Sequence, residues 1–207
     1  GYVYEAVPEN KVEGATVTIY YKDGDKAVKW DADPYAQQNP LVTDAEGFYA
    51  WNVPTGEWKV VVEKEGYQTA ESEWLPVPPV QLDVNLELVS KEEAHVTAVE
   101  LSKGSMLVSF DKYMNADSVT ASLFAVTNGK NNATVKSVEA VEPATRNGKQ
   151  IAKQYLVTFA SELTEEGGAY NVSIAKGAVT YAGVAMSSDT RLEGIALSGV
   201  IEQIEVA

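Results

Sequence analysis

The 207-residue sequence contains no cysteine and a single histidine, His95. No disulfide, thiolate metal site or cysteine nucleophile is therefore available, and His-cluster metal sites are excluded by count. A catalytic triad needs a histidine beside both a nucleophile and an orienting acid, whereas His95 falls in a polar linker where a solvated side chain is expected. Bases are also scarce. Sixteen Lys and Arg face thirty Asp and Glu, for a net charge of −14, and long-range repulsion disfavours nucleic acid and anionic membrane surfaces as partners. No apolar run approaches the ~18 residues of a spanning helix, and no signal peptide is visible, so no direct membrane insertion is expected. The chain begins at Gly1 rather than Met and reads as a segment of a longer protein.

What is present is uneven along the chain. Residues 1–90 carry sixteen acids and six bases, with all four Trp (Trp30, Trp51, Trp58, Trp74) and seven of the eleven Tyr; residues 91–207 carry fourteen acids and ten bases. This asymmetry predicts two domains, 1–90 and 91–207, joined by the short polar linker Ser90-Lys91-Glu92-Glu93. Neither holds a long helical period.

In the first, Ala15, Val17, Ile19 and Tyr21 alternate with polar neighbours, and Lys22-Asp23-Gly24-Asp25 closes that strand as a turn. Thr43 to Val62 reads as a meander: a Gly-containing turn, an alternating aromatic strand, a reversal at Pro54-Thr55-Gly56 and a return strand with Trp58, Val60 and Val62 on one side. Its register directs Tyr49, Trp51 and Trp58 inward and leaves Phe48 and Tyr20 outward. Trp74 to Pro79 must be extended, because proline removes donors and disfavours helix before it. Leu82, Val84, Leu86 and Leu88 then alternate as a closing strand.

In the C-terminal domain, Val108 and Phe110 point inward from their strand, and a short helical turn is expected within Tyr113–Leu123, capped by Asn115 or Asp117. Further strands are expected at Phe124–Val126, Val135–Val141, Tyr155–Phe159, Tyr170–Ile174 and Ile195–Val206, with Asn128-Gly129 and Asn147-Gly148 as turns suited to positive φ. The fold class expected is all-β, two tandem β-sandwiches.

Two patterns suggest ligands. Asp23 with Asp25, and Asp31 with Asp33, each place two carboxylates in a loop, as calcium prefers, although neither completes an EF-hand spacing and Asp also serves turns through local hydrogen bonds. Trp30, Tyr35 and Trp74 lie outside the inward register. Exposed aromatic faces stack on sugar rings, and Gln37, Gln38 and Asn39 beside Tyr35 could bond hydroxyls. In the alternative, Trp30 and Tyr35 peg a long loop to the sheet edge while Trp74 caps an open end of the sandwich.

The first domain resembles the carboxypeptidase regulatory-like, transthyretin-like sandwich family. The likeness rests on Gly1 and Val3; Gly14, Ala15 and Val17; Thr43, Asp44, Gly47, Tyr49, Trp51, Pro54, Gly56 and Trp58; and Gly66-Tyr67. The C-terminal domain is similar to a bacterial Ig-like domain of surface-layer and other cell-surface proteins, through Phe110, Met114, Ser118 and Val119; Leu163, Tyr170 and Val172; and Ala182, Gly183 and Met186. Both resemblances imply a non-enzymatic accessory, spacer or adhesion-stalk role in a large exported bacterial protein, extracellular or at the cell surface. The expected partners are neighbouring domains of a parent chain, and the expected state is a monomer. The alternative function is a carbohydrate-binding accessory module of a polysaccharide-active enzyme, with cell-wall or plant glycan as ligand.

Overall fold

A computed structural model describes residues 1–197 and the backbone of 199–201. The protein is all-β, built from several sheets, and its only helical elements among the described residues are three 3₁₀ turns, Asp33–Tyr35, Ala116–Ser118 and Ala121–Leu123. None of these is long and apolar enough to cross a membrane. The chain divides into two compact units, Gly1–Glu92 and Glu93–Ala207.

The first unit is organised around the strands Thr16–Asp23 and Gly56–Glu63, paired antiparallel. Lys26–Lys29 and Leu41–Val42 add to the former, Ala70–Glu71 and Leu75–Val77 to the latter. The period of two buries Val17 and Ile19 opposite Val62 and Val60 and turns Tyr20 and Lys59 to the other face. A further sheet joins Val3–Glu5 in parallel with Leu86–Glu87 and antiparallel with Val7–Lys11, and Val89–Ser90 pairs with Tyr67–Gln68. Val3, Val17, Ile19, Trp30, Tyr49, Trp58, Val60, Val62 and Leu88 pack into one core.

The aromatic stretch Phe48–Val53 departs from the expected meander. It is not a ladder strand, and contacts the N-terminal segment instead: Tyr2 bridges Phe48, and the Tyr49 amide donates to the Gly1 carbonyl at 3.0 Å. The turn before it sets this course. Asp44 Oδ1 accepts from the amides of Glu46 and Phe48, each at 2.9 Å, and Gly47 sits at φ 66° with an added Cβ falling 2.5 Å from the Val3 carbonyl oxygen. The expected closing strand is also shorter than its alternation suggests. Leu88 is buried, but Leu82 lies 74% exposed, and only Leu86–Glu87 and Val89–Ser90 are paired. Alternation registers side-chain parity and carries no information on whether a partner strand exists.

In the C-terminal unit, the order Val135–Val141, Lys149–Phe159, Ser105–Asn115, Val96–Leu101, Gly199–Ile201 forms one sheet, and Phe124–Thr127, Tyr170–Ile174, Thr190–Ile195 another. Inward residues from both, among them Val99, Val108, Phe110, Tyr155, Val126, Val172 and Ile174, share one core, an arrangement consistent with a β-sandwich. Asn115 caps the first 3₁₀ turn of this unit, its side chain accepting from the Asp117 amide at 3.2 Å, although the preceding strand runs on to Asn115 itself. Asn147 and Gly148 take φ 51° and 76°, the positive values a tight hairpin needs, between the paired Arg146 and Lys149. The expected strand Ile195–Val206 is described only in part: Thr190–Ile195 and Gly199–Ile201 are separate strands, and 202–206 lie outside the described residues.

Candidate functional site

The three loop aromatics have different environments. Trp30 follows the strand Lys26–Lys29, and its amide still donates to the Ile19 carbonyl at 3.2 Å, so the pairing continues one residue further and turns the indole inward. Trp30 is 6% exposed, with ring centroids of Tyr35 and Trp58 at 5.1 and 5.4 Å. It is a core residue, and its position corrects its assignment as a stacking platform. The paired neighbours carried the signal: Lys29 opposite Tyr20 faces out, so the next residue faces in.

Tyr35, at the end of its 3₁₀ turn, is 52% exposed. Two of the three amide side chains beside it are engaged in holding the loop. Gln37 exchanges side-chain hydrogen bonds with the Asn52 backbone, both at 2.8 Å. Asn39 accepts from the Ile19 amide and donates to the carbonyls of Ile19 and Trp30. Gln38 contributes its backbone carbonyl to the Trp51 indole N–H at 2.6 Å.

Trp74 is half-buried on the outer face of the larger sheet, beneath two ammonium groups: Lys59 Nζ lies 4.9 Å and Lys22 Nζ 5.7 Å from its ring centroid. Those lysines also pair with Glu71 at 3.3 Å and Glu57 at 3.6 Å. Register places Tyr20 between Lys29 and Lys59 on that face, a row of aromatic and cationic groups rather than a cleft.

The candidate calcium carboxylates do not converge. Asp23 and Asp25 flank Gly24 in an exposed turn, and Asp31 Oδ1 accepts from the Asp33 amide at 3.2 Å, a local turn bond. No group of three or more His, Asp or Glu able to hold a metal occurs among the described residues. His95 is paired rather than merely solvated. Its Nδ1 lies 3.2 Å from Asp111 Oδ2, its amide donates to Asp111 Oδ1 at 2.7 Å, and the Asp111 amide returns a bond to the His95 carbonyl. These bonds clamp two adjacent strands where their register shifts.

A concavity of about 350 Å³ opens in the first unit. Ile19, Trp58 and Val60 line it from the inner face of the larger sheet, Tyr49, Trp51 and Val53 from the aromatic stretch, and Leu75, Val77 and Val84 from the proline-rich side. Its mouth is apolar: Phe48, Val80 and Leu82 are 54%, 74% and 74% exposed. The polar atoms of the lining aromatics are bonded to backbone carbonyls. Tyr49 donates its hydroxyl to the Val84 carbonyl, and Trp58 its indole N–H to the Pro54 carbonyl at 3.0 Å. Burial raises the Tyr49 phenol well above its ordinary pKa. Sequence reasoning places Phe48 outward but does not single out Val80, and it assigns Leu82 to an alternating closing strand.

No protein-family model, curated protein or solved structure matches the chain.

Proposed function

We propose that the chain is a non-catalytic tandem of β-sandwich modules, the first transthyretin-like and the other Ig-like, serving as an accessory, spacer or stalk segment of a large exported bacterial protein. The observation that carries this reading is that the motif residues are absorbed by architecture. Thr43 accepts from the Ala15 amide at 2.9 Å and donates to the Val12 carbonyl at 2.7 Å, tying two loops inside the first unit. Tyr67 donates to the buried Glu5 carboxylate at 3.0 Å. In the C-terminal unit Ser118 Oγ donates to the Asn115 carbonyl and accepts from the Val179 amide. Tyr170, buried, donates to the Thr164 carbonyl six residues upstream at 2.6 Å, a bond of the tyrosine-corner kind found in Ig-like sandwiches. Neighbouring domains of a parent chain are the partners this role implies. Incubating the 207-residue chain with polysaccharide and peptide substrates should give no turnover, and measurable turnover would contradict the proposal.

An alternative reading, a glycan-binding accessory module, is favoured by the exposure of Tyr35 and the lysine-flanked Trp74. It predicts a tryptophan fluorescence change on titration with plant or cell-wall polysaccharide that Trp74→Ala or Tyr35→Ala abolishes. No change with any glycan removes it.

A further inference from the structure

Five large hydrophobic side chains are exposed among the described residues, and three of them, Phe48, Val80 and Leu82, surround the mouth of one concavity. Such clustering marks a surface that another molecule covers, since isolated exposed apolar residues are ordinary but a ring of them around a preformed hollow is not. The hollow lies at the small end of the range for bound ligands. Because the rim itself is apolar and open, an occupant confined to the hollow would leave Val80 and Leu82 in water. The complementary molecule therefore extends past the mouth and inserts one large side chain.

The surroundings specify its charge. Asp44 and Glu46 precede Phe48, and Asp83 separates Leu82 from Val84; no Lys or Arg lies within four positions of Phe48, Val80 or Leu82. Lys11, near the Tyr2–Phe48 bridge, is held with its ammonium 3.1 Å from the Tyr2 ring centroid. The walls add a further feature: no strand occurs between Leu41–Val42 and Gly56–Glu63, or between Leu75–Val77 and Leu86–Glu87. The backbones of Phe48–Val53 and Val80–Val84 thus border the hollow outside any sheet ladder; the amides of Phe48, Tyr49 and Asn52 are already bonded within the unit, so an extended chain would lie along Val80–Leu82.

We propose that this concavity is a docking site for an extended peptide segment of a partner protein, anchored by one aromatic or leucine side chain and flanked by Lys or Arg. The inference is independent of the accessory-module reading.

The test is selection of a random-decapeptide display library on the intact 207-residue chain, followed by fluorescence titration of the enriched peptide, with Trp51 and Trp58 as reporters. Enriched sequences should share a large apolar residue with basic neighbours. Binding should fall at least tenfold in the double variant Val80→Ser/Leu82→Ser, whose sites are exposed and whose folding is checked by circular dichroism, and several-fold in Asp83→Lys. Enrichment of no peptide, enrichment of acidic peptides, or binding unchanged in both variants overturns the proposal. So does a hollow that takes up neutral Nile red while no peptide is enriched, which would make it a small-molecule site. A dimer in sedimentation that the double variant dissociates overturns it in favour of another copy of this chain.

Discussion

Two neighbouring aromatics illustrate what decides a residue's role. Trp30 and Tyr35 touch, yet the indole is in the core and the phenol in solvent. Trp30→Ala should cost about 3–5 kcal/mol, as for other large core truncations, whereas Tyr35→Ala should cost under about 1 kcal/mol; urea denaturation of the two variants measures the contrast. Tyr49 and Tyr155 make a pH-dependent pair. Each hydroxyl donates to a backbone carbonyl, of Val84 and Met114, and burial raises both phenol pKa values. In the unfolded chain a tyrosine ionises near its ordinary value of about 10. Their contribution is therefore complete below that pH and declines as pH rises beyond it, because the unfolded state releases protons that the folded state retains. Thermal melts should fall in midpoint above about pH 10, with part of the tyrosinate absorbance appearing only on unfolding. Full titration of all eleven tyrosines in the folded protein would contradict this assignment.

At the scale of elements, the sequence pattern reveals parity but not pairing. Val135–Val141 and Tyr170–Ile174 are legible to the residue because alternation and flanking turns bound them on both sides. Phe48–Val53 carries the same alternation and keeps the expected faces, Tyr49 buried and Phe48 exposed, but forms no ladder strand; Leu82 carries it and is exposed, since no strand pairs with it. Trp30 escapes for the opposite reason: its hairpin pairing with Ile19 extends beyond the polar run that marks the strand's apparent end. Within the loop 30–40, the Asn39 side chain makes three bonds to the backbone of Ile19 and Trp30. Asn39→Ala should destabilise by about 2 kcal/mol, since buried backbone groups lose partners. Gly47→Ala should cost a similar ~2 kcal/mol, combining a left-handed backbone with the approach to Val3. Equilibrium denaturation that places both variants within experimental error of wild type would remove these two anchors from the account. The candidate site shows the same division: its aromatic wall is legible as inward register, while its exposed mouth depends on Val80–Val84 having no ladder.

For the molecule as a whole, the central claim is that the chain consists of two separately built β units. The claim rests on two distinct cores, one within Gly1–Glu92 and one within Glu93–Ala207. A core complete within its own segment should survive separation from the other, since each unit is within the size at which domains fold alone. The decisive measurement is calorimetric unfolding of residues 1–92 and 93–207 expressed separately, beside the intact chain. Each piece should unfold in its own cooperative transition, and the intact chain should show both. A piece that gives no transition and no dispersed amide spectrum on its own would contradict the account.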